Sequence, residues 1–319
     1  MPPAQDIPKV LVLCGGLSPE RDVSIRSGRR VAEALRTQGM AVTVSDADAD
    51  LLQRLDATQP DCVLPALHGA GGEDGSLADV LDAVGIPYIG SSADSTRIAF
   101  DKAVAKAAVR HWGLPTPDSV ALPHSMFREL GAPQLMHRLV DRLKLPLIVK
   151  PTRGGSALGA AIVHDVNELP SAMVGAFAYG DVVLVERYID GTELAVSIVE
   201  GDDGPIVLPA VEVVPDSGFY DYNARYTAGT TEFFAPARVS ADVTRAVEEL
   251  ALTVHTNMVL RDYSRIDLIV SPEDVPHFLE VNVSPGITET SLLPQAVEAA
   301  SRDLGALFAQ LVRRAISRN

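Results

Sequence analysis

The sequence predicts an α/β unit with a parallel sheet, followed by a longer α+β part built on antiparallel sheets. Two observations carry this reading. Up to about residue 90, short apolar runs alternate with helix-like segments, the rhythm of a parallel sheet covered by helices. Beyond that point, apolar runs face each other across Gly-rich turns and are only interrupted by helices, the pattern of antiparallel sheets.

Taken in order, KVLVLCGG reads as a buried strand entering a loop. SIRSGRRVAEALRTQG follows as a helix with Ile25, Val31 and Leu35 on one side and Gly39 as its stop. AVTVSDA, ADLLQRLDA, DCVLPALHG, SLADVLDAVG and IPYIG then continue strand, helix, strand, helix, strand. Ligands gather at the carboxyl ends of such strands, where the loops GGLSPERD and HGAGGEDG lie. STRIAFDKAVAKAAVRHWG is expected as one helix leading to the turn LPTP. PLIVKPTRGGSALGAAIV and DVVLVERYIDGTELAVSIVEGDDGPIVLPAVEV read as hairpin-like pairs. ADVTRAVEELALTVHTNMV and the tail from Leu293 read as amphipathic helices over the last sheet. Boundaries near Ser92 and Val185 divide the chain into units 1–92, 93–185 and 186–319.

The 319 residues suffice for two or three compact units, and 47% hydrophobic with 22% charged residues is ordinary for a folded soluble protein. A formal net charge of −15 argues against nucleic acid and anionic membranes as partners. Cys14 and Cys62 sit in apolar runs and read as reduced core residues. The first apolar run is too short for a signal peptide, and none reaches the length of a membrane span, which places the chain in the cytoplasm.

SRIDLIVSPEDVPHFLEVNVSPG alternates as two strands, Ser264–Val270 and His277–Val283. Pairing Val270 with His277 sets Asp267 opposite Glu280 and Arg265 opposite Asn282. Opposed carboxylates repel, and burying them unpaired costs more, so a cation belongs between them. Two carboxylates and an amide suit Mg²⁺. A solvated hairpin in which Arg265 neutralises one acid fits the same residues.

Other stretches also admit two readings. The Gly-rich loop after Lys150 is no Walker A loop, yet its backbone N–H groups suit phosphate as well as an ordinary hairpin. Lys102 and Lys150 are either phosphate-binding charges or side chains reaching for water. Glu186 and Glu193, set about a tight turn, either accept ribose hydroxyls or face solvent. FYDYNARYTAGTTEFFAP concentrates aromatic residues in a chain with only 5% of them and reads as a lid or binding loop. His68 is either a site residue or a satisfied strand-end histidine.

Together these blocks resemble the D-alanine–D-alanine ligase family of the ATP-grasp superfamily. The resemblance runs in family order through GGLSPERDVSIRSG, ALHGAGGEDGSL, GIPYIGSS, FDKAVAK, LPLIVKPTRGGSALG, VLVERYIDGTEL, FYDYNARYTAGTTEFFAPA, SRIDLIV and FLEVNVSPGITETSLLP. It implies a two-part ATP-grasp fold after the N-terminal domain, and ATP-dependent joining of two D-alanines for peptidoglycan precursors in a cytoplasmic homodimer. It implies that Asp267, Glu280 and Asn282 hold Mg²⁺ or Mn²⁺, and that Lys102, Lys150 and the Ser156 loop hold phosphates. Glu186, the backbone of Arg187, Tyr188 and Ile189, and Glu193 would hold adenosine. Glu20, with His68 beside it, would take the first D-alanine's ammonium, and Arg265 and the Gly286 N–H the oxyanion. Arg225, Ser291 and the Leu292 N–H would take the second carboxylate, while Glu20, Ser156 and Tyr226 close the lid. The implied reaction passes through an acyl phosphate that the second amine attacks.

Three positions depart from the family pattern. Arg225 stands where Lys is commoner, Ala157 where a second Ser is common, and Ala78-Asp79 where Gln and a small residue are usual. They leave open a ligase for other amino acids. A catalytically dead ATP-binding module is opposed by the presence of Asp267, Glu280, Asn282, Arg265, Lys102 and Lys150.

Overall fold

The computed structural model describes residues 7–227 and 229–318, and at Tyr226 the backbone only. Its first sheet is parallel, with β1 (Lys9–Cys14) between β2 (Ala41–Asp46) and β3 (Cys62–Pro65). The second comprises β4 (Ser119–Pro123), β5 (Leu147–Pro151), β6 (Ala161–Val163) and β7 (Val182–Arg187), antiparallel in the order β4-β7-β5-β6. The third holds β8 (Thr192–Gly201), β9 (Gly204–Val207), β10 (Val211–Pro215), β11 (Thr231–Phe234), β12 (Tyr263–Val270) and β13 (Pro276–Asn282). Its order is β11-β10-β8-β12-β13, with β9 paired to β8.

The first sheet does not keep its core to itself. Val10, Val12 and Leu64 share a buried cluster with Tyr263, Leu293, Phe308 and Leu311, so both chain ends close over one apolar interior. The second sheet has its own core around Leu147, Val149, Met173 and Val185. Both cysteines are free and buried. Among the described residues, no helix is long and apolar enough to cross a membrane.

Four expectations change. IPYIG supplies only an isolated bridge, Val63 to Tyr88, in place of a full strand. The long helix expected after Ser91 is two, Ala93–Phe100 and Lys102–His111. Asp101 breaks it by taking an extended backbone, and its carboxylate accepts from the N–H groups of Ala103 and Val104 to cap the second helix. Residues 187–192 make no hairpin: the chain leaves the second sheet at Arg187 and enters the third at Thr192. Gly191 permits that crossing, because a Cβ there would stand 2.1 Å from the Val270 carbonyl oxygen.

The fourth change is in register. Arg265 faces Asn282 and Asp267 faces Glu280 as expected, but Val270 faces Pro276 rather than His277. A bulge at Leu279 absorbs the difference, since Asp267 pairs with Glu280 while Leu268 already pairs with Phe278. Phe278 turns its backbone outward: its N–H donates to Pro115 at 2.8 Å, and its carbonyl accepts from Thr116 Oγ1 at 2.7 Å.

Candidate active site

A cavity of about 460 Å³ opens between the second and third sheets. It is lined by Lys102, Lys150, Glu186, the 187–189 backbone stretch, Glu193, Arg225, Asp267 and Glu280. Ile148, Ile269 and Leu279 supply apolar wall, so the bulge turns Leu279 to use. The Gly-rich loop covers one side with Gly154, Gly155 and Ala157. Its base is tied to the helix that Asp101 caps: Lys102 N donates to the Thr152 carbonyl at 2.8 Å, and Lys102 Nζ to the Gly154 carbonyl at 2.7 Å.

The opposed acids of β12 and β13 each have a cation. The Arg265 guanidinium grips Asp267 with Nε and Nη2, at 2.7 and 2.8 Å. Asn282 Nδ2 adds a bond to the same carboxylate at 3.0 Å. Lys102 Nζ stands 3.0 Å from Glu280. Burial alone would raise the Glu280 pKa, but Lys102, Lys150 and Arg225 outweigh it and hold the carboxyl at about 2. The reading of a solvated hairpin therefore holds only in part. Arg265 does neutralise one acid, yet the pair is buried rather than solvated.

Glu186 is not a solvated turn residue. It is 2% exposed and lies between Lys150, at 2.5 Å, and Lys106, at 2.9 Å. Burial would raise it, but the two ammonium groups reverse that and hold it below the ordinary range. Burial pushes Lys106 down to about 8. Glu193 also lines the cavity and is pushed up to about 7, first by burial, with Asp267 and Glu280 adding to the effect of burial.

A second, smaller cavity of about 70 Å³ adjoins the first, with Gly155, Tyr220 and Arg225 in both walls. It gathers Glu20, His68, Ser156, Arg265, Asn282, Gly286, Ser291 and Leu292 from distant parts of the chain. Ser156 Oγ donates to Glu20 Oε1, joining the Gly-rich loop to the first sheet's loop. Burial is the main reason the Glu20 carboxyl is raised. His68 is fully engaged: Nδ1 donates to the Ser284 carbonyl and Nε2 accepts from Ser27 Oγ, both at 3.0 Å. The Ser284 oxygen can only accept, so the hydrogen of the neutral ring sits on Nδ1 and Nε2 is left to accept. Ser27 Oγ also accepts from the Ile287 N–H at 3.1 Å. Burial lowers His68 to about 4, so the ring is neutral and ties Ser284 and Ile287 to the helix Arg21–Thr37. Arg225 Nε donates to the Tyr220 carbonyl, and its guanidinium lies 4.2 Å from the centre of that ring.

Of the site residues read from sequence, only the Tyr226 side chain lies outside the described residues; the rest line one cavity or both. Lys106, Tyr220 and Glu73 were missed. Lys106 had a signal, since it follows Lys102 by one helical turn in KAVAK.

Two antiparallel sheets closing on a lysine-rich, acid-lined cavity define the ATP-grasp class of ligase folds. The chain belongs to the D-alanine–D-alanine ligase family. The model of the D-ala D-ala ligase C-terminus matches residues 108–316. The D-alanine–D-alanine ligase of Anaeromyxobacter dehalogenans strain 2CP-C is 41% identical over 287 residues, 90% of each chain. The Bacillus anthracis D-alanine–D-alanine ligase complexed with ATP is 30% identical, with a TM-score of 0.82 over 98% of both chains. The VanG D-Ala:D-Ser ligase of Enterococcus faecalis is 26% identical, with a TM-score of 0.82 over 97% of this chain and 100% of that one.

Proposed function

We propose that the chain joins two D-alanines into D-alanyl-D-alanine at the expense of ATP, releasing ADP and phosphate, for peptidoglycan precursors. The observation that carries this is the junction of the two cavities at Arg225, which gives one guanidinium access to a nucleotide and to an amino acid. ATP occupies the larger cavity, with its base between the 187–189 backbone and the apolar wall and its phosphates toward Lys102 and Lys150. Glu20 receives the first D-alanine's ammonium, and Arg265 with the Gly286 N–H faces its carboxyl group. Arg225, Ser291 and the Leu292 N–H, at the start of the helix Leu292–Ala299, receive the second carboxylate.

The donor set fits Mg²⁺. Among the described residues no three His, Cys, Asp or Glu gather to hold a metal; two carboxylates and an amide can share a cation with phosphate oxygens. Asp267, Glu280 and Asn282 would hold it, and its charge would offset that of the phosphates. Lys102, Lys150 and Arg225 spread the charge as the first carboxylate attacks the γ-phosphorus. Arg265 and the Gly286 N–H then stabilise the tetrahedral oxyanion formed when the second amine attacks the acyl carbon, and phosphate leaves. Closure of the Ser156 loop over Glu20, with Tyr226 as its third member, keeps water from the acyl phosphate.

Family membership also supports a cytoplasmic homodimer, which light scattering would report as twice 33.9 kDa. The substrate reading is tested by ADP release with Mg-ATP and a panel of D- and L-amino acids and D-lactate, with products identified by mass spectrometry. D-Alanyl-D-alanine should dominate. A dominant mixed product, such as D-alanyl-D-serine, would overturn the assignment of the second substrate.

A further inference from the structure

Glu73 lies on the wall of the smaller cavity, and neither the roles proposed above nor the family resemblance gives it work. Its loop folds back so that Glu73 N donates to the Gly69 carbonyl and Gly69 N donates to Glu73 Oε2, at 3.0 and 2.6 Å. The residue is 8% exposed, and among the described residues no donor reaches its other oxygen. Glu20 lines the same cavity at 6% exposure, and a Cβ on Gly69 would stand 2.6 Å from Glu20 Oε2. The Gly69 turn thus holds two carboxyls against one small space.

We propose that Glu73 is the second acidic group of the amino-acid ammonium site, carrying a proton in the empty protein and releasing it to solvent when the ammonium binds. This rests on the proposed D-alanine site at Glu20. Burial, and then the charge of Glu20, push Glu73 up to about 8. Lys102 and Arg265 act against that rise. The other titratable groups nearby are His68, held neutral, and Tyr263, raised mainly by burial. Among the described residues each carboxyl has one hydrogen-bond donor but no cation beside it. Two such charges in so small a volume repel, so one keeps its proton until a cation enters. The bound ammonium supplies that charge. The balance is Glu73–COOH plus ammonium giving the carboxylate–ammonium pair and one proton in solution.

The sign follows from the raised pKa. Below about 8 the empty protein holds the proton and binding expels it; above 8 there is none to expel.

The test is titration calorimetry of D-alanine into the full chain with Mg²⁺ and a non-hydrolysable ATP analogue. Measured in buffers of different ionisation enthalpy, the heat counts protons released. At pH 6.5 the native chain should release about one proton more than Glu73→Gln, and the difference should vanish by pH 9. The amide keeps an acceptor for Gly69 N, so the variant should fold, and unchanged ATP-analogue affinity would verify that. In Glu73→Gln, KM for the first D-alanine should rise about tenfold with kcat changed less. Equal proton release from both proteins would overturn the proposal, as would release that persists at pH 9. Product analysis keeps the two readings apart. Absence of D-alanyl-D-alanine from the native enzyme sinks the substrate assignment, whereas normal product with unaltered proton counts sinks only the role of Glu73.

Discussion

Glu280 and Arg225 show how a single side chain ties charge to chemistry here. Glu280 is held at about 2 by its cationic neighbours, well below the ordinary carboxylate range, so its charge stabilises the fold near neutrality. That contribution is present above the ordinary pKa and fades as pH falls toward 2. Sequence alone suggests that the opposed acids make the empty site costly; the Lys102 and Arg265 partners reverse that expectation. Glu280→Gln should therefore lose about 2 kcal/mol at pH 7 and less than about half of that at pH 3, measured by urea denaturation at both. It should also cut ADP release at least about 100-fold. Equal stability at both pH values would contradict the charge assignment. Arg225→Ala should lower kcat/KM for the second amino acid about 10- to 100-fold, the loss of charge-assisted hydrogen bonds. Arg225→Lys keeps the charge but loses the fork and the stacking on Tyr220, so it should fall between the native enzyme and Ala. Identical small effects would show that Arg225 touches neither substrate.

Among elements, the helix break at Asp101 does most to place the phosphate end of the site. The carboxylate caps the helix that Lys102 opens, and it also accepts from Arg153 Nε at 3.0 Å, anchoring the Gly-rich loop. Asp101→Ala should cost about 1 kcal/mol and raise KM for ATP, while Asp101→Asn keeps the cap and should retain most of the stability. Thermal melts of both variants, with ATP titrations, separate cap from loop anchor. The break at FDK is invisible to periodicity, because the helical pattern continues on both sides of it. The facing of Asp267 and Glu280 was legible because strand alternation fixes faces within a few residues. The bulge at Leu279 was not, since it depends on Pro115 and Thr116, far away in sequence. Glu73 and Tyr220 escaped for the same reason: each stands in a quoted loop, but only tertiary packing brings it to the cavity wall.

At the scale of the whole molecule, the smaller cavity exists only because both chain ends fold together. Glu20 and His68 come from the first sheet's loops, while Gly286 and Ser291 come from beyond β13. The C-terminal Arg318 helps pin that closure. Both its Nη atoms reach the fully buried Asp262, which also accepts from Gly90 N at 2.7 Å. Arg318→Ala leaves that carboxylate with too few partners, and should cost about 2–3 kcal/mol and lower Tm by about 5 °C. Unchanged Tm would show that the pin carries no load. In the proposed reaction, phosphoryl transfer to the first amino acid precedes peptide formation. The direct test is turnover of D-alanine labelled with ¹⁸O in both carboxylate oxygens, followed by mass spectrometry of the inorganic phosphate. Each phosphate released should carry one ¹⁸O from the acyl carboxylate, with the other left in the new peptide carbonyl. Phosphate without label, alongside normal dipeptide formation, would contradict the acyl phosphate route through this site.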